Sequence, residues 1–284
     1  MSSRQTVVAL VTGCSSGIGA ATATDLAAHG HTVYATARRP ETLNSLADQG
    51  CHTLALDVTD DASMSAAIAA VEQEHGAVDV LVNNAGYSQS GAVESIPLDD
   101  IRKQFETNVF GLIRMSQLVL PGMRKAGRGR IVNIGSMGGK LTFPGGGIYH
   151  ATKYAVEAIS DAMRFEVQGF GVQVVLIEPG LITTEFAGTA VGSVDGLDDG
   201  PYADFNARVG AVTADIYAGP IAKLAGGGPE SVAKVIRKAV ESKRPKARYT
   251  VTPSATLGIL QRQLTPDRFW DLAMRTQFPV PKSD

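Results

Sequence analysis

Residues 7–19 read Val-Val-Ala-Leu-Val-Thr-Gly-Cys-Ser-Ser-Gly-Ile-Gly. An unbroken apolar run from Val7 to Val11 is followed by glycines at positions 13, 17 and 19. The run fits a strand buried on both faces, and the glycines fit a tight turn that feeds a helix packed closely against that strand. The first N–H groups of such a helix have no partner within it and present a partial positive charge, so the turn suits the pyrophosphate of a dinucleotide. A glycine-rich turn alone is equally an ordinary strand-to-helix loop. The rest of the chain decides between the two.

Outward from that turn, short β-rich runs alternate with amphipathic helical stretches. The strands are expected at Val7 to Val11, Thr32 to Ala37, His52 to Leu56, Val80 to Asn83, Arg130 to Ile134, Val172 to Ile177 and Ala247 to Val251. Such alternation predicts an α/β fold: a Rossmann-like doubly wound sheet of about seven mainly parallel strands with helices on both faces. A chain of 284 residues is expected to form one domain over 1–284. Between Glu185 and Gly228 the pattern dissolves into Gly, Ala and Asp, which reads as an irregular lid over a substrate. From 254 to 284 a helical extension carries Leu257, Leu260, Leu264, Phe269, Trp270 and Leu272, which are expected to pack on the core.

Composition removes several classes of function. The formal charge is −2 and no long basic run exists, so no footprint for nucleic acid is present; Arg124 to Arg130 reads as a solvated turn. No stretch approaches the roughly 20 apolar residues of a membrane span, and the apolar run before Thr12 is too short for a signal peptide. Cys14 and Cys51 lack metal-ligand spacing and point to a reducing, cytoplasmic compartment. His29, His31, His52, His75 and His150 have no ligand-like spacing either, so no metal is expected. His150, next to a tyrosine on a helix, is expected to point away from it.

A second anchor is Tyr149-His150-Ala151-Thr152-Lys153, at the start of a long helical segment ending near Val167. Residues at i and i+4 share a helix face, and an ammonium beside a phenol favours the phenolate, bringing a weak acid toward neutral working pH. Glycine loop, Asn83-Asn84-Ala85-Gly86, Asn108, Ser136, Tyr149, Lys153 and Pro179-Gly180 follow one another in one order. Over about residues 6–250 this constellation resembles the short-chain dehydrogenase/reductase family. Tyr-His-Ala-Thr-Lys, the strand Tyr34 to Arg38 and the long carboxyl end are similar to its hydroxysteroid and retinol dehydrogenase branch.

The resemblance implies an enzyme interconverting a secondary alcohol and a carbonyl by hydride exchange with a nicotinamide cofactor. Ser136 would hold the substrate oxygen, Tyr149 would exchange the proton, Lys153 would hold the nicotinamide ribose and lower the tyrosine pKa, and Asn108 would hold a water linking lysine to solvent. Gly13, Ser15, Ser16, Gly17, Ile18 and Gly19 would form the phosphate turn; Asp57 and Val58 would meet the adenine. Asn84, Ala85 and Gly86 would line the adenosine side, and Asn83 would brace the sheet. Pro179, Gly180, Ile182 and Thr184 would meet the carboxamide.

The second strand ends Ala37-Arg38-Arg39, where an NAD enzyme would carry an acid for the ribose hydroxyl. Two guanidiniums suit a 2′-phosphate instead, so the cofactor is expected to be NADP(H). Met137, Leu141, Phe143, Phe186, Tyr202 and Phe205 are candidates for an apolar pocket, which favours a lipophilic, steroid- or retinoid-like substrate. The family implies a homodimer or homotetramer. The competing readings are an NAD(H)-dependent dehydrogenase of a small alcohol, a lyase or isomerase on the same fold, and an NADP-binding redox sensor or scaffold without turnover.

Overall fold

The computed structural model describes residues 6–194, 196–197 and 200–281. The ends of the expected 1–284 domain, the last residues of the extension and positions 195, 198 and 199 of the expected lid lie outside them. In chain order the larger elements are β1 (Val8–Val11), α1 (Gly17–Ala28), β2 (Thr32–Ala37), α2 (Asn44–Ala47), β3 (His52–Ala55), α3 (Asp61–His75), β4 (Val80–Asn83), α4 (Leu98–Phe105), α5 (Gly111–Ala126) and β5 (Gly129–Ile134). There follow α6 (Gly147–Val167), β6 (Val172–Pro179), α7 (Phe186–Gly192), α8 (Ala203–Ala218), α9 (Pro220–Ala225), α10 (Pro229–Glu241), β7 (Arg248–Val251), α11 (Pro253–Leu264) and α12 (Asp267–Arg275).

All seven strands join one sheet in the order β3-β2-β1-β4-β5-β6-β7, and every pairing is parallel. Alternation along β1 divides the core: Ala9 and Val11 face a layer holding Leu26 of α1 and Ile236 of α10, while Leu10 faces one built from α3, α5 and α6 through Ile68, Met115 and Met163. Both faces of the central sheet are covered, which is why β1 is continuously apolar. The chain runs outward from β1 to β3 and returns to place β4 beside β1. The loops after these two neighbours therefore diverge and leave a crevice at the strands' carboxyl ends.

Two expectations are corrected here. The stretch expected to be irregular is largely helical, in α7, α8 and α9. Its alanines favour helix, and Val209 and Val212 of α8 gain a core of their own with Met274 and Phe278. In the carboxyl extension, Leu257, Leu260, Leu264, Phe269 and Leu272 do not pack on the core but are exposed, Leu264 by 74%. The buried side of that extension is instead Ala255, Met274 and Phe278, with Trp270 half-covered against Phe143. Among the described residues no helix is long and apolar enough to cross a membrane.

Candidate active site

A cleft of about 1180 Å³ opens along the carboxyl ends of the strands. Its first wall is the glycine turn. Gly13 and Gly17 have φ of +70° and +58°, a region in which a side chain is strained. A Cβ on Gly19 would lie 2.2 Å from the Gly13 carbonyl oxygen, so this glycine is where α1 meets the turn. Asn84 and Thr12 staple the turn to β4: Asn84 Nδ2 donates to the carbonyls of Thr12 (2.9 Å) and Gly13 (3.0 Å), and Thr12 Oγ1 accepts from the N–H groups of Asn84 and Ala85. Ser16 begins α1 without capping it through its side chain, and the first turn carries no acid. The helix N-terminus is therefore free to receive an anion, and this cradle fits a dinucleotide's phosphates.

Beyond the turn the cleft is lined by Arg38, Asp57, Val58, Asn84, Ala85 and Gly86. Arg38 has no ion-pair partner among the described residues. Arg39 does not line the cleft, because successive residues in extended backbone point to opposite sides. Asp57 accepts from the N–H and hydroxyl of Thr59, while Asp60 caps α3 through the N–H of Ala62. Cys14 is buried in the turn, which pushes its thiol up to about 12 and makes it inert at ordinary pH.

At the other end Ser136 leaves β5 and its Oγ accepts from the N–H of Gly138 at 3.0 Å. Tyr149 stands in the first turn of α6, close enough to Ser136 for the serine hydroxyl to favour the phenolate, but burial outweighs that and holds the phenol above its usual pKa. The Lys153 ammonium lies 5.8 Å from the centre of the Tyr149 ring and donates to the carbonyl of Ile134 at 2.8 Å. The family resemblance gives Lys153 the task of lowering the phenol's pKa; in the protein alone burial raises it. Burial dominates both groups, and it pushes Lys153 itself down to about 8.

Asn108 does not line the cleft. It is buried in a π-helical turn at Glu106–Phe110, between α4 and α5. Its Oδ1 accepts from the N–H of Tyr87, and its Nδ2 donates to the Tyr87 carbonyl and to Thr152 Oγ1. The side chain is fully engaged in tying the loop after β4 to α6, and the widened turn frees backbone carbonyls from the regular helical pattern. Asn83 donates to Asn133 and Ser116 and serves the sheet.

Pro179, Gly180, Ile182 and Thr184 line the far wall after β6, and Thr184 stands opposite Gly17, whose Cβ would meet it at 3.4 Å. Of the apolar candidates, Met137, Phe143 and Phe186 line the cleft. Leu141 is core, Tyr202 is bonded to Glu94 and Phe205 packs on Phe278.

Three contributors to the wall escaped the sequence reading. His150 lines the cleft rather than pointing away, its Nδ1 paired with the Gly138 carbonyl at 2.9 Å and its Nε2 accepting from the N–H of Phe143 at 3.3 Å. Ser88 and Ser90 form part of the wall after β4. One face of α8 forms another, through Val209, Val212, Thr213, Ile216 and Tyr217. The spacing of these five is that of one helical stripe, a signal hidden as long as the segment is read as irregular. Among the described residues no group of three or more His, Cys, Asp or Glu side chains is placed to hold a metal.

The family described as short chain dehydrogenase matches residues 7–192. A 3-ketodihydrosphingosine reductase from Bacteroides thetaiotaomicron is 35% identical over 281 residues, covering 97% of this chain and 99% of the relative. An NADPH-dependent 3-dehydrocapnine reductase from Ornithobacterium rhinotracheale is 36% identical over 272 residues, covering 93% and 94%. The crystal structure of a short-chain dehydrogenase from Streptomyces avermitilis superposes with a TM-score of 0.77 at 35% identity, covering 96% and 99% of the two chains. These names are those of oxidoreductases, and none of the three is that of a steroid or retinol enzyme.

Proposed function

This chain belongs to the short-chain dehydrogenase family, and from that premise we propose that it is an NADPH-dependent reductase of a lipophilic ketone, able to run in reverse on the alcohol. One observation carries the reading: Ser136 and Tyr149 share a single cleft with the glycine turn and unpaired Arg38 on one side and Met137, Phe143 and Phe186 on the other. NADPH in this cleft supplies the hydride. Gly13, Ser15, Ser16, Gly17, Ile18 and Gly19 hold its phosphates, with Asp57, Val58, Asn84, Ala85 and Gly86 at the adenosine and Arg38 at the 2′-phosphate. Pro179, Gly180, Ile182 and Thr184 hold the carboxamide end. NADPH dependence in a relative 36% identical to this chain supports the choice of cofactor.

Ser136 orients the carbonyl oxygen, and Tyr149 gives it a proton as the carbon accepts hydride. Burial keeps Tyr149 protonated at neutral pH, the form needed to donate. The phenolate it becomes is stabilised by the Lys153 ammonium on the same helix face. Asn108 and its π turn hold the route by which the proton is replaced. The half-buried apolar surface of Met137, Phe143 and Phe186 suits a lipophilic molecule, steroid- or retinoid-like in polarity or with an extended chain.

A cytoplasmic homodimer or homotetramer belongs to the same proposal. It is supported by two free, buried cysteines and by exposed Phe110 in the turn before α5 and Tyr154 and Phe165 on α6. The test is NADPH-linked turnover by purified protein on a panel of steroid, retinoid, long-chain and small ketones, with Tyr149→Phe run beside it. Turnover of an apolar ketone that vanishes in the variant is the expected result. Equal turnover by both proteins sinks the assignment.

A further inference from the structure

The cleft-facing stripe of α8 is apolar at Val209, Val212 and Ile216 and polar at Thr213 and Tyr217, which lie four residues apart on one face. The two hydroxyls differ in what they are free to do. Thr213 Oγ1 donates to the Val209 carbonyl of its own helix at 2.7 Å. Tyr217 has no hydrogen-bond partner among the described residues, although it lines the cleft and stands close enough to Tyr149 to oppose ionisation of that phenol. Burial pushes the Tyr217 phenol up to about 12, so it is a neutral donor at any ordinary pH.

A tyrosine whose only role is to fill apolar space is matched by phenylalanine, whereas half-buried Tyr217 brings to the cleft wall a hydroxyl with no partner among the described residues. Nothing in the proton path requires this group, because Ser136 and Tyr149 already serve the reacting oxygen. The α8 stripe also leans on the Tyr149 end of the cleft: Val209 packs against Gly145, at the end of the loop leading into α6.

We propose that Tyr217 is a specificity-determining residue that hydrogen-bonds a second polar group of the substrate, so that the favoured substrate is a lipophilic ketone carrying a hydroxyl-type group close to the reacting carbonyl. This rests on the reductase reading and narrows it. A site that pairs such a group discriminates against the analogue lacking it, because the buried partner is then left unsatisfied.

The matched probes are 1-hydroxy-2-dodecanone and 2-dodecanone, tested on wild type, Tyr217→Phe and Thr213→Val. Two readouts are taken: NADPH-linked kcat/KM, and calorimetric affinity for NADPH-loaded protein. The wild type is expected to favour the hydroxy ketone by about tenfold in both, the worth of one such bond. Tyr217→Phe brings the ratio close to one, and Thr213→Val keeps it. A ratio unchanged in Tyr217→Phe, equal losses on both ketones, or binding of neither ketone overturns the proposal. Preferential binding that disappears in Tyr217→Phe without turnover by wild type upholds Tyr217 and refutes the reductase reading instead.

Discussion

Tyr149 and Lys153 lie one helical turn apart on α6, with the lysine ammonium 5.8 Å from the centre of the phenol ring, yet the ammonium spends its hydrogen bond on the carbonyl of Ile134 rather than on the phenol oxygen. The pair is therefore poised rather than engaged. Phenol and lysine are both held in their buried, less ionised direction, and a negative charge forming on Tyr149 is what brings the ammonium's field into use.

Replacing Tyr149 by Phe removes the proton donor and little else. Reductase kcat is expected to fall by about 10²–10⁴-fold, the usual worth of a positioned acid, while NADPH affinity changes only a few-fold. Single-turnover kinetics and NADPH fluorescence titration check the two halves separately. A sensor or scaffold that binds NADPH without turnover would be indifferent to this change.

Lys153 carries a cost in stability. Its pKa in the fold is about 8 against an ordinary 10.5, so between those pH values the unfolded chain holds a proton that the folded one lacks. Stability contributed by this group accordingly rises with pH across that window, and below about 8 the penalty of the buried cation is present in full. Lys153→Met should abolish turnover and yet raise the stability at pH 7 by about 1–3 kcal/mol, with the gain shrinking toward pH 10.5. Thermal unfolding of both proteins at pH 7 and pH 10 measures this. A variant less stable than wild type at pH 7 contradicts the account.

The sheet was legible because burial on both faces makes β1 and most of β4 and β6 apolar, and the glycine turn was legible because the backbone at 13 and 17 strains any residue with a side chain. Tyr149 and Lys153 were legible from their spacing. What remained hidden depends on long-range packing. Nothing local says that α8 is held in place by Met274 and Phe278, more than fifty residues away in sequence. Nor does local sequence say that His150 turns toward Gly138 rather than away, or that burial outweighs the Ser136 hydroxyl at Tyr149. The exposed leucines of α11 mislead for the same reason: amphipathic spacing identifies a helix face but not whether anything covers it.

Arg38 and Arg39 are adjacent in sequence but unequal in place, since only Arg38 lines the cleft. Losing a charge-assisted contact to the 2′-phosphate costs about 1.5–3 kcal/mol. Arg38→Ala should thus weaken NADPH binding by roughly 10–100-fold and leave NADH binding nearly unchanged, while Arg39→Ala affects both little. Titration of each variant with both cofactors is the check. Equal losses for NADPH and NADH in Arg38→Ala would remove the basis for NADPH preference.

His150 joins the turn at Met137–Gly139 to the loop at Phe143 in the cleft wall, and it can do so in one protonation state only. Nδ1–H donates to the Gly138 carbonyl, which leaves Nε2 as the acceptor for the N–H of Phe143; a proton on Nε2 would set donor against donor. Burial holds its pKa below the ordinary 6.5, so its contribution to stability is present above 6.5 and is lost as pH falls through the lower value in the fold. His150→Gln keeps a polar side chain but cannot satisfy both loops with the geometry of the ring. It should cost about 1–3 kcal/mol for the polar groups left unpaired, raise KM for the ketone more than it lowers kcat, and leave NADPH affinity in place. It should also flatten the loss of stability expected of wild type as pH falls below 6.5. Melting temperatures across that range, beside the KM and kcat of both proteins at pH 7, decide the matter. An unchanged acid limb would mean that other groups govern it, and an unchanged KM would mean that the two loops hold their places without the imidazole.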